Sequence, residues 1–213
     1  MKEINEKGQD FIKKVEDIKF LKKGWRGIIF VGKFENQKVA IKIAKNETLI
    51  KNIKKEAEIL KVVNREGIGP DLIAVGYDFI ITRFIEGEGF GKVLEQKNLS
   101  SVKNLFFDIL YQARKLDEIK ISKNEMHRPY SNIIVSGQKA FLIDFESSQI
   151  SENPKNITQF FSFILSFLKH KGAIFPKEEK EAILLAQEYK KTYSQKSFEK
   201  ILKFISDVFT KLN

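Results

Sequence analysis

The run Val39-Ala40-Ile41-Lys42 ends on a lysine inside an apolar, strand-like segment. An ammonium buried there is costly unless an anion meets it. Any fold available to this chain must therefore bring a carboxylate or a phosphate to that strand. The next helical segment offers candidates. In Lys55-Glu56-Ala57-Glu58-Ile59-Leu60, Glu56 lies fourteen residues after Lys42. Ile59 and Leu60 follow it at the third and fourth positions, which favours an inward face for Glu56; Glu58 is the competing partner.

The pattern around this pair sets the order of elements. Residues 20 to 43 alternate β-branched and aromatic runs with Gly-rich and Glu-Asn-Gln breaks, which predicts short antiparallel strands. Leu49, Ile53, Leu60 and Val63 then recur near a helical period, with Asn46 or Thr48 placed to cap the first turn. Strand character returns over residues 67–85, and Glu86-Gly87-Glu88-Gly89 predicts a flexible joint. Beyond it, Val102, Leu105, Ile109, Leu110 and Leu116 predict helix over residues 92–119. Ile133–Val135 and Ala140–Ile143, split by Ser136-Gly137-Gln138-Lys139, predict a hairpin. Helices are expected over Phe160–Lys169, Glu178–Thr192 and Ser197–Leu212. The fold class is α+β: an antiparallel sheet with one helix over residues 1–85, and a mostly helical part with a short hairpin over 86–213.

The chain has 213 residues, 42% of them hydrophobic, enough for one large domain or two small lobes. With 38 Lys plus Arg against 28 Asp plus Glu, the net charge is 38 − 28 = +10. That sign suits nucleotides, RNA or a ribonucleoprotein, and acidic surfaces. Lysine predominates, however, and lies on the polar faces of the expected helices, so a solvated surface is the competing reading. The absence of cysteine excludes disulfides and thiolate chemistry and fits a reducing compartment. The N-terminal residues MKEINEKGQD are too charged for a secretion signal, and the longest apolar stretch, Phe160–Leu168, is about half the length that a membrane-spanning helix needs. These features predict a cytoplasmic protein with no membrane span. Only His127 and His170 are present, leaving little for a multi-histidine metal site or a Ser/His/Asp triad.

Three further segments carry chemistry. Lys22-Lys23-Gly24-Trp25-Arg26-Gly27-Ile28-Ile29 lies between two expected strands, where Gly24 and Gly27 would let backbone bend closely over a phosphate chain; an ordinary hairpin turn is the bland alternative. Leu142-Ile143-Asp144-Phe145-Glu146 ends a short apolar strand on a carboxylate, and Asn132 precedes Ile133-Ile134-Val135.

In this order the features resemble the protein-kinase-like superfamily: a glycine loop, V-A-I-K, a helix with E-x-x-I-L, a strand leading to a joint, then N and D-F. With Glu146 in place of the glycine that ends D-F-G and no A-P-E segment following, the chain is similar to the small atypical kinases of the RIO, KEOPS-complex and lipopolysaccharide-kinase type. The resemblance implies a bilobal fold and transfer of the γ-phosphate of MgATP to a hydroxyl on a protein or small molecule, in the manner of a Ser/Thr kinase. It implies that Lys42, held by Glu56, reaches the α- and β-phosphates and that Asn132 and Asp144 hold Mg2+. Adenine is expected against Ile29, Ala40 and Ile143, with Arg83-Phe84-Ile85 as hinge and Thr82 behind it. Glu125 falls on the Asp of the family's catalytic loop once two extra residues are allowed, while His127 stands five residues before Asn132; both are candidates for the base. A nucleotide-binding module without turnover and a basic RNA- or ribosome-associated factor are the alternative functions.

Overall fold

In the computed structural model, residues 12–25 and 27–211 are described; Arg26 of the glycine segment, Leu212 at the end of the last expected helix, Asn213 and the charged N-terminal residues 1–11 lie outside them. The chain divides into two compact units. One comprises the residues up to Glu86 together with Ile143–Glu146, the other Gly87–Leu142 and Ser147 onward.

The sheet of the first unit is built on the β-branched and aromatic runs of β2 (Gly27–Phe34), β3 (Gln37–Ala44) and β5 (Phe79–Arg83), flanked by β1 (Glu16–Lys23) and β4 (Leu72–Val75). The sheet is antiparallel, in the order β1-β2-β3-β5-β4. Glu35 and Asn36, both with positive φ, make the tight turn between β2 and β3, a conformation that suits the right-handed twist of paired strands. On one face Val39, Ile41, Phe79 and Ile81 join Val15 in an apolar core. Because alternate residues point to opposite faces, Ala40 and Lys42 must lie on the other, opposite Val31 and Ile29 on β2 and Thr82 and Ile80 on β5.

That second face receives α1 (Ile50–Val63), which buries Ile53, Glu56, Ala57, Leu60 and Val63. The helix starts later than its sequence suggests. Asn46 precedes a single 3-10 turn, Glu47–Leu49, and makes no capping bond, while the Thr48 hydroxyl turns back onto the Asn46 side chain at 2.7 Å.

The second unit begins with β6 (Glu88–Gly89), so the expected joint is partly a strand, paired to β8. The helix expected over residues 92–119 is two: α2 (Phe90–Gln96) and α3 (Leu99–Glu118). Asn98 causes the break, since its side chain accepts the Ser101 N–H at 2.9 Å and restarts the helix as an N-cap. Next come β7 (Ile121–Ser122), the hairpin β8 (Ile133–Ser136) and β9 (Lys139–Leu142), and β10 (Gln149–Ile150), which pairs with β7. Gly137, at φ 62°, supplies the left-handed turn residue of the hairpin. Helices α4 (Asn156–His170), α5 (Pro176–Thr192) and α6 (Gln195–Thr210) complete the chain.

The core of this unit is aromatic. Phe106 on α3 is fully buried, with Phe90, Phe160, Phe163, Phe167 and Phe209 around it at ring-centroid separations of 5.5 to 6.4 Å. Beside it, Asp117 accepts from the Tyr189 hydroxyl at 2.9 Å and from the Asn156 amide at 2.8 Å, and Arg114 donates to the Tyr189 oxygen at 3.0 Å. Burial drives the Asp117 carboxyl above its ordinary range, opposed by the Tyr189 and Asn156 hydrogen bonds. Among the described residues, no helix is long and apolar enough to cross a membrane.

Candidate functional site

The strand period that turns Lys42 away from the Val39–Ile41 core also turns it toward α1, and the helical period turns Glu56 toward β3. Lys42 Nζ donates to Glu56 Oε2 at 2.7 Å. Glu58 instead faces solvent and pairs with Lys61, one helical step along. Two more carboxylates converge on the same ammonium, Asp144 Oδ1 and Glu146 Oε2, each at 3.1 Å. Burial alone would lower the pKa of Lys42, but the charges of Glu56, Asp144 and Glu146 outweigh it, and the ammonium is held well above its ordinary range. Burial, with the neighbouring acids, sets the Glu56 carboxyl above its usual range against the pull of Lys42.

Residues 143–146 belong to the first unit and are anchored to it in two ways. The Phe145 N–H donates to the second oxygen of Glu56 at 3.1 Å. Its ring is fully buried and closes on Gly69, where an added Cβ would sit 2.9 Å from the ring and 3.4 Å from Leu60. Asp144 adopts a left-handed backbone, φ 59°, which Asp tolerates better than most residues. The carboxylates on either side of Phe145 both reach Lys42.

Gly27 is fitted to the lysine stem. A Cβ there would lie 3.1 Å from the Ile43 carbonyl and 3.3 Å from Lys42 Cγ. At Gly24 an added Cβ would meet its nearest described atom, the Gly27 carbonyl oxygen, at 3.5 Å, and the Gly24 N–H closes the turn onto that carbonyl at 2.9 Å. Ile29 is the cross-strand partner of Lys42, and Ala40 shares its face. Thr82, opposite Ala40, is largely buried. In the expected hinge, the Arg83 N–H donates to the Asp71 carbonyl and the Phe84 N–H to the Lys38 carbonyl, so both amides are already engaged. The Arg83 side chain pairs with Asp71 at 2.9 Å. Ile85 and Ile143 are half-buried.

In the second unit, Asn132 follows a 3-10 turn (Pro129–Ser131), and its amide donates to the Glu125 carboxylate. Glu125 is half-buried and His127 exposed. The loop bearing Glu125 is tied down by Asn156, which accepts the Lys123 N–H at 2.7 Å and donates to the Ile121 carbonyl at 2.6 Å. The structure thus unites Lys42, Glu56 and Asp144 in one unit, and Glu125 with Asn132 in the other.

Sequence reasoning missed Glu146 as a site residue and treated it only as a departure from glycine. It is buried, and its position two residues after Asp144 was the available signal. Glu56, Asp144 and Glu146 can bring one oxygen each within 4.8 Å of one another, a hard-oxygen donor set whose chemistry fits a divalent cation such as magnesium. No protein-family model matches the chain, and no curated protein matches its sequence.

Proposed function

We propose that the chain is an ATP-dependent phosphotransferase, an atypical small kinase that moves the γ-phosphate of MgATP to a hydroxyl on a protein or small molecule. One observation carries this reading: a strand lysine held by a helix glutamate, with Asp144 on the same ammonium. The lysine is kept charged and extended, ready to meet the α- and β-phosphates of a nucleotide. Asp144 is the residue assigned to the cation in the first unit, with Asn132 as the second ligand implied by the kinase resemblance. Magnesium, when bound, would neutralise phosphate charge and orient the γ-phosphate.

Gly27 supports the reading, because it leaves the Lys42 stem uncovered by any side chain at that position. Ile29, Ala40 and Ile143 are the proposed apolar walls for the base. In the transfer itself, the acceptor oxygen bonds to the γ-phosphorus as the bond to the β–γ bridging oxygen breaks, and ADP leaves. Glu125 is assigned the hydroxyl proton, and its hydrogen bond from the Asn132 amide favours it over the exposed His127.

A second reading is a nucleotide-binding module without turnover. It is favoured by Glu146, which occupies the place of a glycine and holds Lys42. Transfer from labelled ATP, compared among wild type, Lys42→Met, Glu125→Gln and Asp144→Asn, separates the two. Loss in all three variants supports the enzyme. MgATP binding without turnover in the wild type supports the module.

A further inference from the structure

The hairpin of β1 and β2 leaves large apolar side chains in water. Every residue of β1 is exposed, so Ile18, Phe20 and Leu21 add nothing to the buried core of the sheet. A cluster of this kind marks a contact surface. The Phe20 ring meets Phe30 edge to face at 6.1 Å and is still 62% exposed. Trp25, at the turn, is 90% exposed and is the only tryptophan of the chain. Its main chain is nonetheless tied down. The Lys45 ammonium donates to the Trp25 carbonyl at 2.8 Å, and the Gly24 N–H closes the turn onto the Gly27 carbonyl at 2.9 Å. An indole held out from a fixed turn offers a flat face for stacking at little cost in ordering.

Positive charge is gathered on the same segment. Between Ile18 and Phe34 the sequence holds Lys19, Lys22, Lys23, Arg26 and Lys33 and no acid. Asp17, which pairs with Lys33 at 3.2 Å, lies at the end of the hairpin away from Trp25. Lys22 is opposite Ile29 and Lys23 opposite Ile28, so these two cations stand on opposite faces of the strand pair. We propose that the hairpin binds single-stranded nucleic acid, with unpaired bases stacked on Trp25 and Phe20 and the intervening phosphates met by Lys22 and Lys23. A nucleic-acid strand alternates ring and phosphate, and the hairpin offers the matching order of Phe20, two lysines and Trp25. Other occupants match it less well. A second copy of the hairpin would set like charges against each other. A bilayer needs a continuous apolar face, whereas Lys22 and Lys23 put a cation on each face beside the turn. A duplex keeps its bases stacked on one another and has none to give the indole. The proposal is independent of the nucleotide site described above and makes no use of Lys42, Glu56 or Asp144.

Trp25 reports its own occupancy, because no other tryptophan contributes to the emission. The test is a fluorescence titration of the full chain, without added ATP, using an oligouridylate of about 12 nucleotides. Inorganic polyphosphate, the duplex of the same strand with oligoadenylate, and vesicles of anionic phospholipid are titrated separately. The expected result is saturable quenching by the single strand, with an affinity that falls about tenfold on a fourfold rise in salt, as release of counterions from two or three phosphates requires. Trp25→Ala, followed by the anisotropy of labelled oligouridylate, is expected to bind about tenfold more weakly, and the double variant Lys22→Ala, Lys23→Ala to lose most of the salt dependence. The exposed indole can be removed without disturbing the core. Absence of quenching, or equal affinity in wild type and Trp25→Ala, overturns the proposal. So does binding of polyphosphate or of the duplex as tight as that of the single strand. Blue-shifted emission on vesicles without oligouridylate binding overturns it in favour of a membrane surface.

Discussion

Glu56 Oε1 accepts the backbone N–H of Phe145 at 3.1 Å while Oε2 of the same carboxylate holds Lys42 at 2.7 Å. One helix residue therefore fixes both the strand lysine and the segment that carries Asp144. Glu56→Ala leaves the Phe145 N–H without this acceptor and removes the closest anion from Lys42. It is expected to destabilise the protein by about 2–4 kcal/mol, and Glu56→Gln, whose one acceptor oxygen can serve the Phe145 N–H or Lys42 while its NH2 faces the other donor, by a similar amount. Urea unfolding of the full chain measures both. Near-zero effects for both would show that the bridge is incidental.

The two glycines of the β1–β2 turn should respond differently. Gly27→Ala forces a Cβ against the Ile43 carbonyl and the Lys42 stem, at 3.1 and 3.3 Å, and is expected to cost about 1–2 kcal/mol and to weaken nucleotide binding. Gly24→Ala meets nothing among the described residues closer than 3.5 Å and should stay within about 0.5 kcal/mol of wild type. Thermal unfolding of the two variants, with and without MgATP, checks the contrast.

In the second unit, Asn156 is fully buried and bonded to Asp117, Ile121 and Lys123. Asn156→Ala orphans several buried polar groups at once and is expected to cost about 3 kcal/mol or more. Because the same side chain ties down the loop bearing Glu125, transfer activity should fall further than the loss of folded protein accounts for. Activity normalised to the folded fraction measures the difference.

Stability should decline on the alkaline side. Burial, then the charge of Asp117, raises the Tyr189 hydroxyl above its ordinary pKa near 10. The folded state therefore keeps a proton that the unfolded chain releases first. The contribution is complete below about pH 10 and is lost as pH rises beyond it. Lys42, also raised, acts with the same sign above its own ordinary value near 10.5. Unfolding free energies measured from pH 8 to 11 should fall in the wild type and fall less steeply in Tyr189→Phe; parallel curves would contradict this origin.

Local pattern made the Lys42–Glu56 pair legible, since the strand and helix periods independently turned each residue toward the other, and Ile59 and Leu60 correctly preferred Glu56 to Glu58. The hairpin at Gly137 was legible from its turn chemistry. The break before α3 was not, because the apolar period runs through Asn98 and only its side-chain bond to the Ser101 N–H interrupts the helix. β1 was legible only in part, since the strand is exposed along its length and the expected strands began at Phe20. Glu146 was not legible as a partner of Lys42. Its role depends on the left-handed turn at Asp144 and on Phe145 docking at Gly69, tertiary features that no local period encodes.

The central claim is that Lys42, held by Glu56, receives the phosphates of MgATP, and titration calorimetry of MgATP into wild type and Lys42→Met tests it most directly. One bound nucleotide per wild-type chain is expected, with an affinity at least about a hundredfold weaker in a folded Lys42→Met, equivalent to roughly 2.7 kcal/mol. Equal affinity in the two proteins, or no binding to the wild type, would contradict it.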